Sequence, residues 1–397
     1  GFAAVNSEIA SHKGRRVRND IMMGATRHGA TRATLAAVVL ACAVPCDAFV
    51  STPAIFPAHC GGRGGTALSL LRCQGPAGGA MTRRRALVAG SALLVPTLAG
   101  APALAKTGDG TIPQVPADGR AHNVVLTGAN SGIGLDAAIK MAAGGYTVHL
   151  VCRTLDKAKA AKAAVEKAVV ALGGDYEPVV VPMACDLSSL ESVRDFAKQW
   201  KLLGKTLDVL VLNAGVALST TEKFSGPAVP RTQDGFELTV GTNHLAHFLL
   251  VNLLLPELER APGAPRLVVT ASQVHDPASA GGSQGSKATL GDLKGLAAGG
   301  AWEMVDGGPW DGDKAYKDSK LCNVLFTREL ARRLKAKGSK VSVNCFSPGL
   351  ITRTGLFRNQ NSVFVKVFDF IVYNVARVAE TVSFGGDTLV TMATQRE

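Results

Sequence analysis

His122-Asn123-Val124-Val125-Leu126-Thr127-Gly128-Ala129-Asn130-Ser131-Gly132-Ile133-Gly134 is the stretch on which the fold turns. Its first five residues make a short, largely apolar run of the kind that forms a buried strand, and an alanine-rich helical pattern opens at its end. Between the two, glycines fall at a fixed spacing. Gly128 permits a tight turn, Gly132 lets the backbone come close to a ligand, and Gly134 lets the helix pack closely on the strand. The start of the helix then faces outward with its free amides, where negative charge is favoured. Strand, glycine turn and helix together predict the first βα unit of a doubly wound parallel α/β sheet.

The alternation continues downstream. Thr147 to Cys152 reads as a second strand and ends in Arg153, where an enzyme for an unphosphorylated dinucleotide commonly places a carboxylate. Arg153, helped by Lys157, pairs instead with a 2′-phosphate, which favours NADPH. Pro178 to Met183 predicts a strand running into Asp186-Leu187, Ser189 to Trp200 a helix, and Leu207 to Leu212 a strand running into Asn213-Ala214-Gly215. Both loops fall at C-terminal strand ends, where a doubly wound sheet has its ligand crevice. The expected cofactor residues are therefore Thr127, Gly128, Asn130, Ser131, Gly132, Ile133, Gly134, Arg153, Asp186, Leu187, Asn213, Ala214 and Gly215, on a Rossmann-like fold in a single catalytic domain spanning 120–397.

Tyr316-Lys317-Asp318-Ser319-Lys320 puts a phenol and an ammonium on one helical face. A cation in that place favours the phenolate and is expected to lower the tyrosine pKa, and it is also suited to hold a ribose. The apolar strand Arg266 to Val269 leads to Ser272, a hydroxyl at another strand end, and Asn243 lies in a predicted helix where it is placed to complete a proton path.

In this order these motifs resemble the short-chain dehydrogenase/reductase family over essentially all of 120–397. The resemblance implies a catalytic tetrad of Asn243, Ser272, Tyr316 and Lys320. Ser272 would bond the substrate, Tyr316 would donate the proton, and Lys320 would tune it and hold the ribose. It also implies that Ser347-Pro348-Gly349, with Thr352, contacts the nicotinamide. Gly235 to Phe248, Ala288 to Leu296, Met304 to Gly308, Lys314 to Asn323 and Thr354 to Arg358 are more specifically similar to the light-dependent protochlorophyllide reductase branch, whose residue after the Pro-Gly pair is Cys where this chain has Leu350. That resemblance implies light-dependent reduction of a porphyrin ring double bond, protochlorophyllide to chlorophyllide, by NADPH in chlorophyll biosynthesis. Ser319 to Arg333 equally resembles retinol-dehydrogenase-like reductases of carbonyls and alcohols, and a non-catalytic scaffold subunit of a photosynthetic assembly is the alternative from another class.

The first hundred residues differ in character. Residues 1–119 hold 12 Lys and Arg against 5 Asp and Glu, and the remainder 31 against 26, so the net charge of +12 resides largely in a leader and does not indicate nucleic-acid binding. Residues 1–21 read as upstream of the true start, 22–48 as a signal peptide, 49–80 as a transit-like segment, and 81–105, with Arg83-Arg84-Arg85 and Ala103-Leu104-Ala105, as a twin-arginine-like thylakoid signal or anchor. Series of this kind resemble the presequences of plastids with extra membranes and predict a plastid protein, thylakoid-associated on either the stromal or the lumenal side. The scattered cysteines predict free thiols. His244 and His247 lack a third ligand, so no metal site is expected. Val363 to Val375 has the spacing of a core helix or substrate lid, and a homo-oligomer stays open.

Overall fold

The computed structural model describes Ile55–Phe56 and residues 112–394, except 174–176, 221, 298–301, 361 and 376–378. The targeting segments read from 1–21, 22–48 and 81–105 lie outside the described residues, as does all of 49–80 apart from Ile55–Phe56.

Among the described residues seven strands form one sheet: β1 (Ile55–Phe56), β2 (Asn123–Thr127), β3 (Thr147–Cys152), β4 (Val180–Ala184), β5 (Val209–Leu212), β6 (Arg266–Thr270) and β7 (Ser342–Phe346). They run in the order β1-β7-β6-β5-β2-β3-β4. From β2 to β7 all pairings are parallel, and β1 adds an antiparallel pair of residues at the β7 edge. The order reverses at β2, whose neighbours are β3 and β5, so the crevice opens at the C-terminal ends of these strands.

Helices cover both faces. They are α1 (Gly132–Ala143), α2 (Leu155–Ala171), α3 (Leu190–Leu202), α4 (Leu238–Arg260), the short α5 (Lys294–Ala297), α6 (Gly312–Ala336), α7 (Ser362–Phe370) and α8 (Val382–Thr394). Successive strand side chains point to opposite faces, so each strand feeds two cores. Val124 and Leu126 of β2, with Val268 of β6, join Ala137, Met141 and Val165 in one core. Val125, Leu267 and Val269 join Phe196, Trp200, Leu250 and Leu254 in the other. This two-sided burial explains why the strands read as continuous apolar runs. Helix α4 is long and apolar enough to cross a membrane by composition, but half of its most apolar window is buried. Its apolar face belongs to the second core.

Two polar clusters lock the helices around the site. Lys140 of α1 is buried and reaches Asp136 and, from α8, Asp387, each at 2.7 Å. The insertion between β6 and α6 is tied to α6 through Lys314 to Asp306 at 3.0 Å and through the Thr289 amide, which donates to Asp318 at 2.9 Å. The apolar stretch from 363 to 375 forms α7 and a wider turn at Ile371–Val375. Val372 is buried there, while Val367 and Phe370 are exposed. None of the described side chains of this stretch lines the crevice.

Candidate active site

A cleft of about 760 Å³ lies across the C-terminal ends of β2, β3, β5, β6 and β7. Thr127, Gly128, Asn130, Ser131, Gly132 and Ile133 line it from the first βα turn. Gly128 has φ +69°, and a Cβ there would stand 2.8 Å from Ala214 Cα, so only glycine lets the two loops approach. Ser131 is the N-cap of α1 but makes no side-chain cap bond, and the first turn carries no acidic residue. The helix start therefore offers donors and no competing carboxylate. Gly134 is outside the lining; a Cβ on it would meet Gly128 O at 2.4 Å, and its part is close packing.

Arg153 is exposed at the cleft edge where β3 ends, with Lys157 on the first turn of α2 behind the Thr154 cap. Asp186 lines the neighbouring wall with Leu187; its Oδ1 accepts from the Ser188 amide at 2.9 Å and hydroxyl at 2.7 Å. Asn213, Ala214 and Gly215 complete the floor, and the Asn213 and Ala214 amides donate to Thr127 Oγ1 at 2.9 and 3.1 Å. A glycine cradle at a helix start, a cation pair beyond the end of β3 and a carboxylate beyond the end of β4 fit a phosphorylated dinucleotide.

The reacting groups converge at the β6 end of the cleft. Ser272 follows β6, shares a hydrogen bond with the Tyr316 hydroxyl, and is fixed through its carbonyl to His275 Nδ1 at 2.6 Å. The next amide, that of Gln273, donates to Ser347 Oγ at 3.1 Å, which joins the Pro348-Gly349 loop to the same turn. Lys320, buried, donates from Nζ to Thr270 O at 3.0 Å and lies 5.5 Å from the Tyr316 ring centroid. Burial pushes the Tyr316 phenol up to about 12, against the hydrogen bond from Ser272, and pushes Lys320 down to about 8. The expected lowering of the phenol is thus reversed. Lys320 lies beside the ring and spends a proton on a strand carbonyl, so burial outweighs its charge.

Asn243 does not line the cleft. It sits in a widened, π-type turn of α4, Gly241–Leu245, where its side chain is fully engaged. Its Oδ1 accepts from the Val216 amide at 2.8 Å, and its Nδ2 donates to Val216 O at 2.9 Å and Ser319 Oγ at 3.0 Å. It brackets the β5 loop to α6 one residue before Lys320. Pro348 and Gly349 line the cleft, but Thr352 is buried off it and bonds to Asp369 of α7. Thr354, two residues on, takes the place facing the cleft. The wall also includes Thr242, Val216, Leu238, Val274, Leu350, Leu356 and Arg358. Sequence spacing carried no signal for these, because they become neighbours only through tertiary packing.

Among the described residues no group of three potential metal ligands occurs. His244 bonds Asn323 at 3.0 Å, His247 bonds Thr127 at 3.1 Å, and Cys152, Cys185, Cys322 and Cys345 carry free thiols.

The sequence profile described as short chain dehydrogenase matches residues 122–292. Among curated proteins, the chain is 42% identical over 262 residues to the chloroplastic protochlorophyllide reductase of Chlamydomonas reinhardtii, covering 65% of this chain and 62% of that protein. It is 41% identical to the chloroplastic enzyme of Cucumis sativus, covering 63% and 60%, and 41% identical to protochlorophyllide reductase of Avena sativa, covering 62% and 76%. The chain belongs to the short-chain dehydrogenase family. It spans less than two thirds of the length of the Chlamydomonas and Cucumis relatives.

Proposed function

We propose that this protein reduces a ring double bond of a porphyrin pigment, converting protochlorophyllide to chlorophyllide with NADPH when the bound pigment absorbs light. The observation that carries the reading is the meeting of a protonated, buried phenol with Ser272 and Lys320 at the end of a cleft whose other end suits a phosphorylated dinucleotide. The three relatives bearing the reductase name support the substrate. Apolar side chains on the cleft wall, Val216, Leu238, Val274, Leu350 and Leu356, suit a flat, largely apolar macrocycle.

NADPH supplies a hydride when bound. Gly128, Ser131, Gly132 and Ile133 would hold its phosphates, Arg153 and Lys157 its 2′-phosphate, and Asp186 and Leu187 its adenine. Tyr316, neutral at physiological pH, is suited to deliver a proton to the reduced ring. Lys320 stabilises the phenolate that remains, and Ser272 holds the hydroxyl in line. Asn243 acts by positioning, through Ser319 and Val216. The chloroplastic relatives support residence in a plastid, and the twin-arginine-like segment favours association with the thylakoid membrane.

The test is spectroscopic. NADPH and protochlorophyllide are mixed with the protein in the dark, and absorbance is recorded before and after a flash. A red-shifted bound pigment that turns into chlorophyllide only on illumination is the expected result. Binding of NADPH without binding or conversion of pigment would sink the photoreductase reading and turn attention to carbonyl and alcohol substrates. Failure to bind NADPH as well would favour a scaffold.

A further inference from the structure

Among the described residues, three cationic side chains besides Lys320 line the cleft: Arg153, Lys157 and Arg358. The first two follow β3 and answer a 2′-phosphate. Arg358 comes from the opposite side, in the turn Gly355–Asn359 beyond β7.

Two sets of contacts fix where that turn lies. At one end, Thr354 Cγ2 is 3.2 Å from the point where a Cβ on Gly132 would stand. A Cβ on Gly355 would stand 3.5 Å from Arg358 Nη1 and 3.6 Å from Ser131 Oγ, so the guanidinium and the N-cap hydroxyl of α1 flank the same small residue. At the other end, Asn359 Nδ2 donates to Ala217 O at 3.0 Å and Gln360 Nε2 to Leu218 O at 2.8 Å, which pins the turn to the loop after β5. Arg358 is therefore carried on a strap joined to both the phosphate turn and the β5 loop. Its Nη1 donates to Gly355 O at 3.1 Å, which orients the fork and leaves most of its N–H groups for another acceptor.

A pyrophosphate brings about two negative charges, while a helix start supplies the equivalent of roughly half a positive one. The Ser131 hydroxyl, which caps no amide, adds a donor but no charge. An arginine fork matches phosphate oxygens in pairs and supplies the missing charge. We propose that Arg358 is the side-chain counter-ion of the dinucleotide pyrophosphate, closing over the oxygens held at the start of α1 with Ser131 as a second donor. This rests on the dinucleotide reading given above.

The test uses calorimetric titration of the full chain with NADPH and with 2′-AMP, which has the 2′-phosphate and no pyrophosphate. Arg358→Gln is expected to weaken NADPH about tenfold and to leave 2′-AMP unchanged, with part of the loss recovered in Arg358→Lys. Arg153→Gln is expected to weaken both ligands. Unchanged melting temperatures for the variants separate binding from folding. Unaltered NADPH affinity in Arg358→Gln overturns the inference while the dinucleotide reading stands. Equal losses for NADPH and 2′-AMP also overturn it, by moving Arg358 to the 2′-phosphate. A wild-type chain that binds neither ligand overturns the dinucleotide reading and this inference with it.

Discussion

The imidazole Nε2 of His247 lies 3.1 Å from the hydroxyl of Thr127, and its Nδ1 lies 3.1 Å from the backbone carbonyl of Asn243. The carbonyl only accepts, so Nδ1 carries the proton and Nε2 accepts from Thr127. Two backbone amides already donate to that same hydroxyl, so its one proton is shared between the ring, at 3.1 Å, and the Val211 carbonyl, at 3.3 Å. A neutral histidine thus links the π-type turn holding Asn243 to the first strand of the dinucleotide site. In a chain with this bond His247→Leu, which removes the acceptor, is expected to cost about 1–3 kcal/mol of stability and to weaken NADPH. His247→Gln, able to donate and accept, should recover much of both. Urea unfolding and NADPH titration of the two variants check it; equal behaviour of Leu and Gln counts against the linkage.

Burial holds His247 and His149 down to about 4. Each binds a proton more readily in the unfolded chain, so its stabilising contribution is complete above about pH 6.5 and is lost as pH falls toward about 4, on the order of 3 kcal/mol apiece. Several carboxyls, Asp136 and Asp387 among them, are raised by burial and act in the opposite direction. The difference between wild type and His247→Gln isolates the histidine. The wild type is expected to lose more stability than the variant between pH 7 and pH 5 in matched urea titrations.

The phenol of Tyr316 stays protonated to about 12, whereas Lys320 begins to lose its charge near 8. Single-turnover reduction is expected to decline above about pH 8 as the ammonium that supports the phenolate disappears. A rate that stays level to pH 10 would remove Lys320 from that role. Tyr316→Phe should lower the rate by about 10²- to 10⁴-fold and leave NADPH affinity near wild type.

Gly134 is a packing glycine, and a Cβ on it would stand 2.4 Å from Gly128 O and 2.6 Å from Asn213 Nδ2. Gly134→Ala is expected to push the helix from the turn, costing about 1–3 kcal/mol and weakening dinucleotide binding with it. Thermal melting with and without NADPH reads both effects. An unchanged shift on adding NADPH would show that the cradle tolerates the displacement.

Lys140 is sealed between Asp136 and Asp387, where it staples α8 to α1. Lys140→Met leaves two carboxyls buried without their cation and should cost about 3–5 kcal/mol near neutral pH. Because burial raises both carboxyls, they take up protons as pH falls, and the loss is expected to be smaller at pH 5 than at pH 8. Urea midpoints at the two pH values check the sign.

Local chemistry made the sheet and half the site readable in sequence. Glycines at 128, 132 and 134 after an apolar run require a turn that few other folds use, and β3, Thr147–Cys152, has the limits its apolar run predicts. Other strand ends moved by one or two residues, because parallel pairing with a neighbour sets where a strand stops. The tertiary structure alone decided which residue of each loop faces the cleft. Thr352 is held outward by Asp369 of α7, and Thr354 faces inward against Gly132. Asn243 stands behind the site because its amide is consumed by Val216 and Ser319. Burial likewise reversed the expected direction of the Tyr316 shift, since the desolvation of a side chain depends on everything packed around it and on nothing its sequence neighbours reveal.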